Sequence, residues 1–293
     1  MNQLRENSSR YREAGYCEHG FLTCKECTIW PPEKEDGSKK KKKTETPRKP
    51  QEEVLSSREI IDQKGLGGGR HVTEFISFRD DGAGVFKPKE GEEFVGRYAE
   101  VGTYYKRERA AYLVDQFLGF GLVPPTVIRE IGDKVGSVQE FVSNFTDGFD
   151  YRCELSWRGN DDEKNKLWKK DLAVLRLFDM LIANSDRHEG NVIVKDGRVI
   201  AIDHGFSFDH RDSLRLYFEF QEVPRKIIQK VNKLRKSKEM RILLGHLLSE
   251  LLREMDVICF FRRLDYFGEI LDRKGAISND DIRGCPDIIL LSE

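Results

Sequence analysis

Long apolar runs are missing from this chain of 293 residues. No uninterrupted stretch approaches the ~20 apolar residues that a membrane-spanning helix needs. The N-terminal segment MNQLRENSSRYREAGY also lacks the apolar region of a secretory signal. We therefore expect neither an integral membrane protein nor a secreted one, and we predict a cytoplasmic location.

An excess of one charge is also missing. The chain carries 50 Lys and Arg against 51 Asp and Glu, a formal net charge of −1 at pH 7. Its charged fraction of 34% nevertheless exceeds the ~25% that is usual for soluble domains. The balance of charge argues against a globally basic nucleic-acid-binding protein.

Apolar side chains are almost absent from residues 31–53, PPEKEDGSKKKKKTETPRKPQEE. Such a segment cannot bury enough surface to offset the entropy lost on ordering, so we predict a disordered linker. Its basic run Lys39–Lys43 could simply be solvated. It could also contact anionic lipid or nucleic acid, or act as a nuclear-import signal.

Six cysteines are present, but without a secretion signal they do not indicate a disulfide framework. Three of them lie close to a histidine in the pattern C-x-H-x4-C-x2-C, formed by Cys17, His19, Cys24 and Cys27. A tetrahedral zinc ion needs four such ligands, and a metal could fold so short a segment. We predict a structural zinc site within residues 1–30. The alternatives are a flexible tail with solvated thiols and a redox-active C-x-x-C pair.

The hydrophobic pattern becomes that of a folded domain from about Val54. Alternating apolar residues predict strands, and apolar residues at helical spacing predict helices. The first half is predicted to contain one helix, over 106–117, and strands over 74–78, 84–87, 126–131 and 135–142. The second half is predicted to contain helices over 171–183, 223–235, 239–253 and 257–272, with a hairpin of strands at 192–194 and 199–202. This order predicts an α+β fold with a β-rich lobe at 54–143 and an α-rich lobe at 144–293.

Features suited to phosphate chemistry follow one another along this two-lobed pattern. The glycine-rich segment Gly65–Gly69 would let backbone N–H groups approach phosphate oxygens. Alternatively, these glycines form a tight turn and have no role in binding. Lys87 ends an apolar strand, where a cation suits phosphates better than a core. Glu108 lies on the following helix, from which it could pair with Lys87 and orient it.

Two further features lie in the second half, the loop N-S-D-R-H-E-G-N at 184–191 and I-D-H-G at 202–205. Phosphoryl transfer needs positioned phosphates, one or two Mg²⁺ ions and a carboxylate near the attacking hydroxyl. Asn191 and Asp203 offer oxygen ligands that suit Mg²⁺. Asp186 could orient or deprotonate the acceptor. The order of these features matches a kinase catalytic loop followed by a metal-binding motif.

The motifs resemble those of a known superfamily. D-R-H-E-G-N, at 186–191, is similar to the D-R-H-x-x-N catalytic loop of the phosphatidylinositol 3- and 4-kinases, and A-I-D-H-G takes the place of D-F-G. G-V-F-K-P-K, R-E-R-A-A-Y-L-V-D-Q and G-S-V-Q-E-F-V resemble the lysine strand, the glutamate helix and the hinge strand of type II phosphatidylinositol 4-kinases. G-L-V-P-P-T-V, at 121–127, also resembles small bacterial members. The resemblance covers about residues 60–220 and implies a kinase-like fold of the atypical kind.

The resemblance implies a role for each matching residue. Lys87 would hold the α- and β-phosphates of ATP, with Glu108 orienting it. Asp186 would act on the acceptor hydroxyl, and His188 would share that role, stabilise charge or be a structural loop residue. Asn191 and Asp203 would bind Mg²⁺. Gly67, Gly68 and Gly69 would cover the phosphates. Glu140, Phe141 and Val142 would frame the adenine.

The main hypothesis is therefore an ATP- and Mg²⁺-dependent phosphotransferase that acts on a hydroxyl group. The segment after Asp203, which would contact the acceptor, carries Arg211 and Arg215 but no dense basic cluster. We therefore prefer a protein substrate or partner over an inositol lipid. The alternatives are a phosphoinositide kinase docked through Lys39–Lys43, a non-catalytic nucleotide sensor or scaffold, and a zinc-containing nucleic-acid-binding protein.

Overall fold

A five-stranded antiparallel sheet forms the body of the first lobe in the computed structural model, which describes residues 50–67, 71–79, 82–94, 96, 99–157, 162–209, 213–214, 222–285, 287 and 289–290. Its strands are β1 (Ile60–Gly65), β2 (Glu74–Phe78), β3 (Ala83–Pro88), β4 (Thr126–Ile131) and β5 (Lys134–Glu140), in the spatial order β1-β2-β3-β5-β4. Helix α1 (Pro50–Ser57) precedes the sheet, and helix α2 (Tyr104–Leu118) is inserted between β3 and β4.

The alternation of side chains along β3 explains how a lysine comes to face a cavity. Phe86 is fully buried in the core of the sheet with Ile76 and Val138. Successive side chains of a strand point to opposite faces, so the next residue, Lys87, leaves this core. The register pairs Lys87 with Ser137 of β5, in the middle of the sheet. The strand therefore presents one cation on the face opposite its apolar contacts.

The second lobe is mostly helical. Its helices are α3 (Gly148–Ser156), α4 (Glu163–Ile182), α5 (Arg225–Lys236), α6 (Lys238–Ser249), α7 (Glu254–Lys274) and α8 (Asn279–Arg283). The strands β6 (Thr146–Asp147), β7 (Val192–Lys195) and β8 (Arg198–Ala201) form a small antiparallel sheet. A parallel pair joins β9 (Ser213–Leu214) to β10 (Ile289–Leu290). The largest apolar core of the described chain is centred on α4 and α7.

The predicted α+β fold with a β-rich lobe followed by an α-rich lobe is confirmed. Strands β2 and β4 begin and end where the sequence pattern places them, and the other predicted elements are present with ends that differ by a few residues. Helix α4 begins earlier than predicted, at Glu163, because Asp162 caps it by accepting a hydrogen bond from the Lys164 N–H at 2.9 Å. No helix in the described ranges is long and apolar enough to cross a bilayer.

The end of the predicted linker needs correction, because α1 begins at Pro50 rather than after residue 53. Leu55 is buried in the core of the sheet. The Glu52 carboxylate accepts hydrogen bonds from the Tyr112 hydroxyl at 2.8 Å and from Arg109 at 3.0 Å, both on α2. The polar composition of 50–53 gives no sign of a helix, because Glu52 is buried by pairing with residues of α2 that lie far along the chain.

Strand β1 and helix α3 were not predicted at all. Strand β1 is an edge strand with mostly exposed side chains, so its sequence lacks apolar alternation. Asp147 caps α3 by accepting from the Phe149 N–H at 2.8 Å. The predicted zinc ligands Cys17, His19, Cys24 and Cys27 and the linker up to residue 49 lie outside the described residues.

Candidate active site

Lys87 lies between two carboxylates that come from different parts of the chain. Its Nζ is 2.5 Å from Glu108 Oε1 on α2 and 3.1 Å from Asp203 Oδ1, just after β8. Burial alone would lower the pKa of Lys87, but the charges of Asp203 and Glu108 outweigh it and raise that pKa above its usual range. Lys87 therefore stays charged throughout the physiological pH range.

Glu108 joins α2 to the segment that carries Asp203. Its Oε1 accepts a hydrogen bond from Lys87 Nζ, and its Oε2 accepts one from the backbone N–H of His204 at 3.0 Å. Burial opposes ionisation, but Lys87 and His204 together hold the pKa of Glu108 well below its usual range. The His204 imidazole is fully buried beside Glu108, and burial lowers its pKa. His204, for which the motifs predict no role, thus forms part of the support for the Lys87–Glu108 pair.

The first turn of α2 is held by Glu92, which sequence reasoning missed. Its carboxylate accepts backbone N–H groups from Gly102 at 2.5 Å, Tyr104 at 3.0 Å and Tyr105 at 2.8 Å. The N–H groups of Tyr104 and Tyr105 are donors that a helix start leaves without intrahelical partners. A carboxylate there also interacts favourably with the helix dipole. Glu92 thereby fixes the start of the helix that carries Glu108.

The predicted catalytic loop is anchored by a buried arginine. Arg187 makes two hydrogen bonds to the Asp179 carboxylate of α4, at 3.0 and 3.1 Å. Its Nη1 also donates to the carbonyls of Asn191 and Ile202, each at 2.7 Å. A bidentate arginine pair is geometrically specific, so these contacts hold the loop and the strand end before Asp203 in one arrangement.

Asp203 has a backbone conformation that L-residues rarely adopt, with φ at +60°. Such left-handed geometry costs free energy and persists where surrounding contacts enforce it. Here the Ile202 N–H donates to the Asn191 carbonyl at 3.1 Å, and the His204 N–H donates to Glu108. The hydrogen bonds on both sides direct the Asp203 side chain toward Lys87.

The side chains of Asp186 and His188 lie on the other wall of the same site. The Asp186 N–H donates to Asn184 Oδ1 at 3.1 Å, and its carbonyl accepts from Asn191 Nδ2 at 3.0 Å. His188 Nδ1 accepts the Gly190 N–H at 3.1 Å, so the neutral ring carries its proton on Nε2. In this tautomer Nε2 is the ring nitrogen that can donate a hydrogen bond.

These side chains surround one cavity of about 390 Å³. Its described lining contains four carboxylates and one lysine, from Glu92, Glu108, Asp186, Asp203 and Lys87. The rest is aromatic, histidine or small, from His71, Val72, Thr73, Pro88, Tyr104, Tyr105, His188, Gly205 and Phe206. The cavity thus combines an excess of negative charge with an aromatic rim.

The predicted adenine-framing residues are not part of this lining. Glu140, Phe141 and Val142 border a second cavity of about 400 Å³, together with the α2–β4 loop and Lys195. The Glu140 N–H donates to the Pro125 carbonyl at 2.8 Å, and the Phe141 N–H donates to the Ala83 carbonyl at 3.0 Å. Of the three backbone amides at 140–142, two are therefore already engaged in hydrogen bonds with neighbouring strands or loops. The order of motifs in the sequence could not show this.

The remaining predicted site residues concern phosphate and metal. Gly67 has φ at +65°, a conformation that favours glycine, whereas Gly68, Gly69, Arg211 and Arg215 lie outside the described residues. Among the side chains that the structure describes, no group of three or more His, Cys, Asp and Glu could hold a metal ion. The structure does bring the segments of Asn191 and Asp203 together through the Ile202–Asn191 hydrogen bond.

The two lobes and the charged pair between sheet and helix define a kinase-like domain. The sequence model of the family "Phosphatidylinositol 3- and 4-kinase" matches residues 99–261. That is more than half of the chain, and the chain belongs to this family. The superfamily predicted from the motifs is confirmed.

The individual relatives are remote. "Protein Rv2133c" of Mycobacterium tuberculosis is 31% identical over 156 residues, which cover 45% of this chain and 56% of the relative. "Phosphatidylinositol 4-kinase gamma 4" of Oryza sativa subsp. japonica is 29% identical over 183 residues, which cover 50% of this chain and 30% of the relative. The chain thus spans only about half or less of the length of these relatives.

Solved kinase structures share the fold. The Golgi casein kinase with Mn and ADP bound has a TM-score of 0.53 and 17% identity, covering 82% of this chain and 78% of the other. Hydra Fam20 with sugar has a TM-score of 0.51 and 18% identity, covering 81% and 90% of the two chains. At such low identity these likenesses establish the two-lobed architecture alone.

Proposed function

We propose that the protein is an ATP- and Mg²⁺-dependent phosphotransferase whose acceptor is a hydroxyl group on a protein. The observation that carries the proposal is the position of Lys87 between Glu108 and Asp203, in a cavity shared with Asp186. A lysine paired with a helix glutamate, next to a metal-binding aspartate, is the arrangement with which kinases hold ATP phosphates. The kinase family and the fold of the neighbours support the same class of reaction.

The donor set suits Mg²⁺. Magnesium is usually held by one or two protein oxygen ligands together with substrate phosphates and water, so it needs no cluster of three acidic side chains. Asp203 is partly exposed toward the cavity, and Asn191 lies in the adjoining segment. When bound, Mg²⁺ neutralises charge on the phosphate oxygens. The neighbour that holds Mn and ADP is consistent with this assignment.

The residues divide the transfer step between them. The acceptor oxygen forms a bond to the γ-phosphorus while the bond from that phosphorus to the β–γ bridging oxygen breaks, which releases ADP. Asp186 takes the proton of the acceptor hydroxyl. Lys87 balances charge on the α- and β-phosphates, and His188 donates Nε2–H to charge that develops on the transferred group. For adenine, Val142 supplies the hinge N–H, since the amides of Glu140 and Phe141 are engaged.

The charge of the cavity favours a protein acceptor over a phosphorylated lipid. With four carboxylates and one lysine in its described lining, the cavity depends on Mg²⁺ and Lys87 to hold the nucleotide phosphates, and this lining offers no further cation for a phosphorylated acceptor. A serine or threonine side chain brings a neutral hydroxyl. The phosphoinositide alternative rests on the named relatives and on the basic run Lys39–Lys43. The sensor alternative is weakened because Lys87, Asp186, Asn191 and Asp203 are all present.

Transfer of labelled phosphate from ATP tests the proposal. We expect the purified protein with Mg²⁺ to label itself or an added protein, and Lys87→Ala to lower the rate at least 100-fold, since that variant loses the charge on the phosphates. Lys89→Ala, which removes an exposed lysine two residues away, should leave the rate unchanged. Vesicles containing phosphatidylinositol form a separate arm.

The outcomes separate the alternatives. Label in the vesicles but in no protein would establish the lipid kinase instead. Tight ATP binding without transfer to any acceptor would establish the sensor. Equal rates for wild type and Lys87→Ala would contradict the assignment of the site itself.

The zinc site stays a separate proposal. We expect protein purified without chelator to contain close to one zinc per chain, and the Cys24→Ser/Cys27→Ser variant to lose it, because thiolates are the strong ligands of such a site. Elemental analysis measures the metal, and Cys153→Ser is the matched control outside the segment. Wild-type protein without metal would contradict the proposal.

A further inference from the structure

His71 is a second imidazole at the candidate active site, on the wall opposite the catalytic loop. It lies in the segment between β1 and β2, and its side chain lines the same cavity as Lys87, Asp186 and Asp203. In the kinase fold this segment covers the phosphates of the nucleotide. The sequence motifs point to the glycines of the segment and give no signal for the histidine that follows them.

The surrounding residues fix the position of the His71 ring. Its centroid is 5.3 Å from the Tyr104 ring on α2 and 5.7 Å from the Phe206 ring, three residues after Asp203. The Val72 N–H donates to the Gly91 carbonyl at 3.0 Å and attaches the next residue to the turn that follows β3. The ring is therefore packed against α2 and the segment after Asp203, and a backbone hydrogen bond holds the residue next to it.

A hydrogen bond also fixes the tautomer of the ring. The Glu93 N–H donates to His71 Nδ1 at 3.1 Å. A ring nitrogen that accepts a hydrogen bond carries no proton, so the neutral imidazole must carry its proton on Nε2. His188 has the same arrangement on the other wall, with its Nδ1 bonded to Gly190. The neighbouring Glu92 carboxylate does not require the His71 proton, because it already accepts three backbone N–H groups.

We propose that His71 donates its Nε2–H to the γ-phosphate of ATP and so distinguishes ATP from ADP. This inference rests on the proposed function. The only positively charged lysine or arginine in the described lining is Lys87, which the proposed function assigns to the α- and β-phosphates. A hydrogen bond to a charged oxygen is stronger than one between neutral groups, so a single donor can contribute an affinity difference of tenfold or more. His71 transfers no proton in this role and forms no covalent bond.

Nucleotide binding without turnover tests the role of His71. Calorimetry with Mg²⁺ would compare a non-hydrolysable ATP analogue with ADP for wild type, His71→Phe and His71→Gln. We expect His71→Phe to bind the analogue about tenfold more weakly and ADP like wild type, because phenylalanine keeps the aromatic packing but has no donor. His71→Gln, whose amide can reach a similar position, should recover part of the loss. Unchanged ADP binding also shows that the variants are folded.

The result distinguishes this inference from the proposed function. If wild type binds both nucleotides and Lys87→Ala weakens both, but His71→Phe binds both like wild type, the role of His71 is wrong and the proposed function stands. An equal loss for both nucleotides in His71→Phe would show a structural role and would also overturn the inference. If wild type binds neither nucleotide, both proposals are wrong.

Discussion

Replacing Asp186 with asparagine is expected to lower the rate of phosphate transfer about 1,000-fold and to leave nucleotide affinity nearly unchanged. A positioned general base contributes roughly 10²- to 10⁴-fold to such a step. The hydrogen bonds that orient this loop use the backbone of Asp186, through Asn184 and Asn191. Asparagine has the same shape, so the loop should keep its conformation while the proton acceptor is lost. The measurement is kcat and KM for ATP at saturating acceptor.

Asp196 provides a matched control for this substitution. It is an exposed aspartate in the turn between β7 and β8, with φ at +51°, a conformation that asparagine tolerates well. Asp196→Asn should therefore keep wild-type kcat and KM. Should Asp186→Asn instead raise KM for ATP with kcat unchanged, Asp186 would belong to nucleotide binding, and another group would have to accept the proton.

The site residues that can be predicted from the sequence are those that differ from their neighbours in polarity or that occur at a recognisable spacing. Lys87 stands out because a cation ends an apolar strand, and Asp186, Asn191 and Asp203 stand out through their spacing. The partner of Lys87 could also be predicted, because Glu108 lies on the next helix. Short-range patterns and the order of the motifs along the chain are enough to predict these residues.

The supporting residues are missed because no local pattern in the sequence marks their partners. Arg187 contacts Asp179, which looks like an ordinary charge within an apolar helix. Glu92 lies in a polar stretch and acts through backbone groups that carry no sequence signal. The proposed role of His71 depends on its tautomer, which is identified by the hydrogen bond from the Glu93 N–H to His71 Nδ1. In each case the three-dimensional fold, rather than residue type, creates the interaction.

A network of four charges, three of them buried, joins the two lobes behind the site and gives the second large expected effect. Arg107, the neighbour of Glu108 on α2, donates to the Ser207 carbonyl and to Asp256 Oδ2 at 3.3 Å, and lies 3.8 Å from Asp209. Arg253 binds the same two carboxylates, Asp209 at 2.7 Å and Asp256 at 2.9 Å. Arg107 is 2% exposed, and both aspartates are fully buried.

Arg107→Met is therefore expected to lower the free energy of unfolding by about 3–5 kcal/mol, the range found when one partner of a buried ion pair is removed. Two buried carboxylates would be left to share Arg253. Chemical denaturation monitored by circular dichroism measures the change. Lys106→Met removes the same charge from a less buried position on the same helix, and should change stability by no more than about 0.5 kcal/mol.

The network also predicts an effect on activity, because Arg107 and Glu108 are adjacent on one helix. Loosening α2 from the second lobe would move Glu108 relative to Lys87, so folded Arg107→Met protein should transfer phosphate more slowly than Lys106→Met protein. Removing Asp256 as well should cost less than the sum of the single changes, since residues of one network are not independent. Additive losses, or a stable Arg107→Met variant with full activity, would show that α2 is held in place without this network.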